Sequence, residues 1–337
     1  LIWGCTRSLL DPGFQSSCLP RLEDGGTAVT SATISLPFST VNAFYTKNGL
    51  PVEQDANYYK DGMYFPVKYS KDNSEFTEHY DFDYNYRYVI ENETTAGMNF
   101  DREPRFYASV GFDRGVWYGN SYSDPAGDQS ESQAAYRYPR NRFGEFSSVW
   151  NSTWYNVTGY WAKKLVALRS TFTGSDNVSF YSVPFPDMRY ADLLLMAAEA
   201  WNEAEETPNE KVYDYLDQVR ERAGLEGIKE TYAKYASVQY KDYPSHKSQM
   251  RDIIHRERQV ELSCEGSYYW DTRRWKTAEK ELNRIVQGWN VLNGETAEDY
   301  YIPTNIYNQQ FTLRDYFAPI PDGDIIRNPQ LVQNPWW

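Results

Sequence analysis

The hydrophobic period of the chain changes near residue 187, and this change constrains the fold more than any other feature. Beyond it, apolar residues recur three and four positions apart, which predicts amphipathic helices. The first is carried by Tyr190, Leu193, Leu194, Ala197, Ala198 and Trp201, and the second by Val212, Tyr215, Leu216, Val219 and Ala223. We expect Asp187 to cap the first helix and Gly224 to end the second.

The two helices together have roughly the length of one tetratricopeptide repeat. Such repeats normally stack in threes or more, since a lone pair leaves an apolar face uncovered. We therefore expect partner helices before residue 1. Two more helices are predicted at 246–265 and 272–292, the latter capped by Asp271. Residues 319–337 are expected to cross the helices as an extended strap.

Residues 1–160 are different, because they are rich in Gly, Pro, Asn, Asp and Tyr and hold no periodic helix longer than two turns. We predict loops and short strands there, the clearest strand being 80–90, where aromatic and polar residues alternate. The fold class expected is mainly α, with tetratricopeptide-type helix pairs in 161–337 and an irregular, loop-rich half with short strands in 1–160. We expect one continuous domain without its N-terminal helices, in which 1–160 faces the ligand.

Composition excludes several classes of protein. Lys and Arg total 34 against 47 Asp and Glu, so the net charge of −13 repels nucleic acid. The longest apolar run, 193–198, is far shorter than the roughly 20 residues of a membrane span. The content of 30 Tyr and 11 Trp favours a wide amphipathic surface for sugars, peptides or partner proteins, the alternative being a core that is simply rich in Tyr.

Cysteine usage offers no metal site. Cys5, Cys18 and Cys264 form no Cys-x-x-Cys pattern, and only three His accompany them, so we predict no metal and no cofactor. A Cys5–Cys18 disulfide is one option in an oxidising compartment. The stretch from Leu1 to Cys5 is similar to a lipoprotein cleavage box, but no basic or apolar stretch precedes it, and we expect the chain to start mid-protein.

A series of short motifs follows in a distinctive order. The series comprises Arg105–Ser109, Arg189–Ala200, Val219–Leu225, Arg256–Leu262, Glu265-Gly266 with Asp271, Arg274 and Trp275, then Pro319–Pro321 and Gln333–Pro335. In this order the motifs resemble the SusD/RagB family. Two positions depart from the family pattern, Tyr268 where Arg is usual and Trp336 where Gly is usual. We interpret both departures as affecting local structure rather than the assignment.

The resemblance implies a protein with tetratricopeptide-like repeats that is held on the outer face of the bacterial outer membrane. The membrane contact would be a lipid anchor outside this chain. The implied partner is a SusC-type TonB-dependent transporter, on which the protein sits as a lid. The implied ligand is an oligosaccharide captured for import, or a peptide in a RagB-type binder.

Three carboxylates on one predicted helical face raise the question of catalysis. Glu257, Glu261 and Glu265 lie at i, i+4 and i+8, and the arginines nearby are Arg220, Arg222, Arg258, Arg273 and Arg274. Glycosidase carboxylates must face each other across a cleft, so we interpret this set as ion pairs that join helices. The sequence also lacks a nucleophile elbow, a phosphate-binding glycine loop and a calcium loop. We predict no catalytic residue and no enzyme activity.

The candidate ligand site is aromatic. Trp117, Tyr118, Asn120 and Tyr122 lie among glycines in a predicted loop, a second group is Trp150 and Trp154, and Tyr80 and Tyr84 lie on the predicted strand. Flat rings stack on the apolar faces of sugars while amides bind their hydroxyls. We expect Trp117 to be presented outward by its flanking glycines. A carbohydrate-active enzyme and a purely structural surface protein are the alternatives.

Overall fold

The computed structural model describes residues 3–22, 30–117, 138–149, 151–173 and 177–337. The helices within these ranges are α1 Pro12–Cys18, α2 Phe38–Val41, α3 Ser74–His79, α4 Phe82–Asn85, α5 Pro104–Ser109, α6 Tyr190–Ala204, α7 Glu210–Arg222, α8 Ile228–Tyr235, α9 Lys247–Glu261, α10 Ser267–Arg274, α11 Ala278–Leu282, α12 Ala297–Tyr300 and α13 Asp322–Arg327. The strands are β1 Trp3–Leu10, β2 Pro66–Lys68, β3 Thr94–Ala96, β4 Val110–Phe112, β5 Tyr160–Ala162, β6 Thr171–Thr173, β7 Asn177–Ser179, β8 Val183–Met188, β9 Arg284–Gly288 and β10 Thr304–Gln309.

All five sheets of the described residues are antiparallel pairs. They join β1 to β8, β2 to β3, β4 to β5, β6 to β7 and β9 to β10. A two-stranded sheet has little stability on its own, so each pair depends on what packs against it.

The predicted helix pair is confirmed as α6 and α7, which pack against each other and against α8 and α9. Leu195, Ala198, Leu216 and Ile254 are all fully buried in their shared core. Asn209 starts α7, since its Oδ1 accepts hydrogen bonds from the next backbone N–H groups. The second helix ends at Arg222, just before Gly224, as predicted.

Both predicted aspartate caps are wrong. Asp187 lies in β8, which is hydrogen-bonded to β1, and α6 begins after Arg189. Asp271 lies inside α10, where it is buried and accepts from Arg258 Nε at 3.0 Å and Arg274 Nε at 2.7 Å. The pairing of β8 with β1 thus keeps Asp187 in a strand, and the contact with Arg258 joins Asp271 to α9.

The helix predicted at 246–265 is confirmed but ends at Glu261. The helix predicted at 272–292 is wrong, because that stretch contains the end of α10, α11 and then β9. The predicted extended strap at 319–337 is wrong in part, since it contains α13 and folds back on itself. Gln333 pairs with both backbone groups of Ile320, donating from Nε2 to the carbonyl at 2.9 Å and accepting from the N–H at 2.8 Å.

Short elements and a dense aromatic core form the loop-rich half. Helices there are at most seven residues long in the described ranges, in agreement with the sequence. The strand predicted at 80–90 is wrong: Asp81 caps a helical turn by accepting from the Tyr84 N–H at 3.0 Å. The alternating rings, such as Tyr80 and Phe82, nevertheless pack into or against one core, and tight turns rather than a strand carry them there.

The Cys5–Cys18 disulfide, which the sequence left as an option, is not formed. Cys18 is a free thiol with no exposed surface at the end of α1, and burial raises the pKa of this thiol to about 12.

An ion-pair cluster joins the two halves of the chain. Its members are Glu103, Arg105, Lys164, Arg189, Arg220, Arg222, Glu257, Glu261 and Glu265. At its centre Glu261 accepts from Arg105 Nη1 at 3.1 Å, Arg189 Nη1 at 2.9 Å and Arg222 Nη2 at 2.7 Å. Burial acts to raise the pKa of Glu261, but these three guanidiniums outweigh it and hold the pKa below its ordinary value. The helix-joining role predicted for these glutamates agrees with this geometry.

We expect Glu261→Ala to lower the free energy of unfolding by about 3–5 kcal/mol, because three guanidiniums would lose their shared buried partner. Denaturant unfolding measures this change. The control is Glu210→Ala, which breaks an exposed pair with Lys229 and should cost less than about 1 kcal/mol.

Unfolding at acid pH gives a second test of Glu261, in which wild type is compared with Glu261→Ala. The folded pKa of Glu261 is depressed, so its stabilising contribution is present above the unfolded value of 4.5 and is lost as pH falls through the folded value. The stability difference between wild type and Glu261→Ala should therefore shrink below about pH 4.5. A difference that is small at neutral pH and independent of pH would contradict this role.

Trp336 has a φ of +68°. The SusD/RagB family, which the chain resembles, usually has glycine at this position. A Cβ is disfavoured in this left-handed region. We expect Trp336→Gly to be more stable locally than Trp336→Ala by about 1 kcal/mol, since both lose the ring but only glycine relieves the backbone. Hydrogen exchange of the Trp337 N–H, which donates to the Asn334 carbonyl at 3.2 Å, reports this difference. Slower exchange in the alanine variant would contradict it.

Candidate functional site

Trp117 is a core residue. Its side chain is 2% exposed and packs with Leu19, Leu22 and Trp161. The outward presentation expected from its glycine neighbours is therefore wrong. A Cβ on Gly115 would lie 2.7 Å from the ring of Phe112, so that glycine permits close packing and does not expose a ring.

The rings of Tyr80 and Tyr84 also belong largely to the core. Tyr80 is 6% exposed and lies 5.0 Å from Phe100 between ring centroids. Tyr84 is half-buried, and its hydroxyl donates to the Arg102 carbonyl at 2.6 Å. Neither ring forms the aromatic strand face that the alternation predicted.

Four of the predicted residues, Tyr118, Asn120, Tyr122 and Trp150, lie outside the described residues. The remaining one, Trp154, is 42% exposed. Asn151 shapes the turn before it, since its Oδ1 accepts from the N–H groups of Thr153 and Trp154, both at 2.9 Å.

One buried arginine fixes the backbone beneath Trp154. The guanidinium of Arg21 donates to the carbonyls of Trp154 at 3.3 Å, of Phe146 at 3.4 Å and of Ser148. Arg21 is 1% exposed, and burial lowers its pKa to about 10. Phe146 is 40% exposed, so two accessible rings are carried by loops that converge on one guanidinium. We call Phe146, Asn151 and Trp154 the loop face.

A second arginine holds the other side of the same loop. Arg114 forms a two-point contact with Glu145, its Nη1 and Nη2 donating at 2.9 and 2.5 Å. Burial acts to raise the pKa of Glu145, but the hydrogen bond from Arg114 outweighs it and the pKa lies below its usual value. The backbone that carries Phe146 is thus fixed on both sides, and rings on a fixed backbone bind a ligand with little ordering cost.

Sequence reasoning missed Phe146 and Arg21. Phe146 lies in a loop without periodicity, and the carbonyls that Arg21 binds follow it by 125 to 133 residues. In the described ranges, no cluster of three or more His, Cys, Asp or Glu could hold a metal ion. No described helix combines the length and apolar character needed to cross a membrane.

A model of the SusD family matches residues 14–337. The chain belongs to the SusD family. The SusD-like protein P2 of Formosa agariphila is 31% identical over 153 residues, which are 45% of this chain and 26% of that protein. The solved structure of BT4246 matches 100% of this chain and 50% of its own, with a TM-score of 0.76 and 25% identity.

A SusD-like carbohydrate binding protein from Bacteroides fragilis matches 87% of this chain and 47% of its own, with a TM-score of 0.50 and 17% identity. The chain spans about half the length of these solved relatives. The mainly α, SusD-like fold expected from the motifs is confirmed.

The burial of the two tryptophans gives a stability prediction. We expect Trp117→Ala to cost about 3–5 kcal/mol of unfolding free energy, because it empties a large core volume. Trp154→Ala should cost less than about 1 kcal/mol, since that residue is 42% exposed. Thermal unfolding compares the two, and equal losses would contradict the assignment of one ring to the core and the other to the surface.

Proposed function

We propose that this SusD-family chain captures oligosaccharide at the cell surface and does not cleave it. The observation that carries the proposal is the loop face, where Phe146 and Trp154 are exposed on backbone held by buried Arg21. Sugars offer apolar ring faces to such side chains and hydroxyls to neighbouring amides. Tyr118, Asn120, Tyr122 and Trp150 remain proposed contributors to the same site.

Family membership supports the ligand class and the setting. One structural relative bears the name of a carbohydrate binding protein, and the fold is shared with it. We propose that the protein faces outward on the bacterial outer membrane, held by a lipid anchor. There it would pass its ligand to a SusC-type TonB-dependent transporter.

The electrostatics support binding over catalysis. Glu257 and Glu261, the most suggestive carboxylates, each accept hydrogen bonds from at least two arginines and are at most 3% exposed. Carboxylates that are buried and paired with arginines in this way do not face a cleft where a substrate or water could exchange a proton with them. We therefore propose that incubation with glycans leaves them intact.

Calorimetry on a panel of neutral hexasaccharides, a uronic-acid hexasaccharide and short peptides tests the ligand class. With the sugar that binds, we expect Trp154→Ala to weaken affinity by about 2–4 kcal/mol, roughly 30- to 1,000-fold, with little change in melting temperature. The control is Trp270→Ala, which removes a ring that is 68% exposed on α10 and should bind as wild type does. Binding of peptides alone would replace the sugar proposal with a peptide-capturing function.

A further inference from the structure

A groove of about 370 Å³ runs along α9, lined mainly by the helical half and on one side by Tyr45 and Glu53 of the loop-rich half. No residue of the loop face lines it. Its floor includes Tyr45, Tyr232 and Ile253, which are buried. Small-ligand sites typically enclose about 300–1,000 Å³, so the groove has room for a short ligand.

Accessible rings line this groove and are held in place. The Trp275 ring stacks on His255 at 3.5 Å between centroids, and its Nε1 donates to Glu199 at 2.8 Å. Burial lowers the pKa of His255 to about 4, so the stack is neutral at physiological pH. Tyr268, one of the two departures from the family pattern, borders the same space and donates to Glu281 at 3.4 Å.

Hydrogen-bonding side chains follow α9 along the groove. Asp252, Arg256 and Gln259 are spaced i, i+4 and i+7 and therefore lie on one stripe of the helix. Asp252 is exposed and Gln259 is half-buried, so both are accessible to a ligand. Arg256 pairs with Glu53 at 2.6 Å.

The charge of the lining limits the ligand. Three carboxylates, Glu53, Asp252 and Glu281, face two cations, Arg256 and Lys280. The groove is thus close to neutral with a slight negative excess, which disfavours an anionic ligand and offers no strong field to a cation. Fixed rings beside amides and carboxylates suit a molecule with apolar faces and many hydroxyls.

We propose that this groove is a second binding site, for a short neutral oligosaccharide. The proposal rests on the proposed function for the ligand class, but it concerns a separate site, which shares no lining residue with the loop face. The chain would then bind two sugars, one at the loop face and one along α9.

The double variant Asp252→Ala/Gln259→Ala tests the groove against a matched pair, Asp214→Ala/Gln218→Ala, on the exposed side of α7. The probes are maltohexaose, cellohexaose and xylohexaose. For the hexasaccharide that binds, calorimetry should give two sites in the wild type and in the α7 control. The groove variant and Trp154→Ala should each retain one, the lost site being weakened at least tenfold.

Hydrogen exchange on the wild-type protein is a second test of the groove. Because it uses no variant, its result does not depend on whether the groove variant folds. Adding the bound hexasaccharide should protect amides in 249–259 and 275–281. One site in the wild type, unaltered by the groove variant, together with unchanged exchange in these segments, would overturn the groove and leave the loop-face function intact. Absence of any binding by all three sugars would overturn both proposals.

Discussion

The fold depends on one buried carboxylate, Glu261, and the three guanidiniums that surround it. Arg105 comes from the loop-rich half, Arg189 from the start of α6 and Arg222 from the end of α7. Burying one charge is costly, and the cost is offset only when all partners are in place. The interaction therefore fixes how the two halves meet.

Local pattern was sufficient for three long helices of the helical half, but it failed at helix ends and at 272–292, where the structure has α11 and β9. The three- and four-residue spacing identified α6, α7 and α9, because one face of each is buried in a shared core. Asp187 and Asp271 failed as caps because an aspartate before a periodic stretch can serve other partners. Asp187 lies in a strand that is paired with β1, and Arg258 binds Asp271. Such partners are distant in sequence, so spacing does not reveal them.

The candidate site was harder to predict than the fold. A tryptophan between glycines has two interpretations, since a missing Cβ either leaves a ring exposed or lets another ring approach. At Trp117 the second holds, with Gly111 and Gly115 both in close contact with aromatic rings. Exposure at Trp154 depends on Arg21, whose carbonyl partners come from more than 120 residues later. Of the two accessible rings of the loop face, the sequence predicted Trp154 and missed Phe146.

The many tyrosines have a physical explanation inside the loop-rich half. A core with few regular elements leaves many backbone carbonyls and amide side chains to be satisfied, and a tyrosine fills volume while its hydroxyl binds one of them. Tyr107 donates to Asn99 O at 2.9 Å, Tyr160 to Asn99 Oδ1 at 2.9 Å and Tyr301 to Asp113 at 2.7 Å. Much of the aromatic content thus stabilises loops. Under the proposed function, ligand recognition falls to the rings that these buried contacts leave accessible. A small patch of such rings selects a ligand by the spacing between the rings and the neighbouring polar groups.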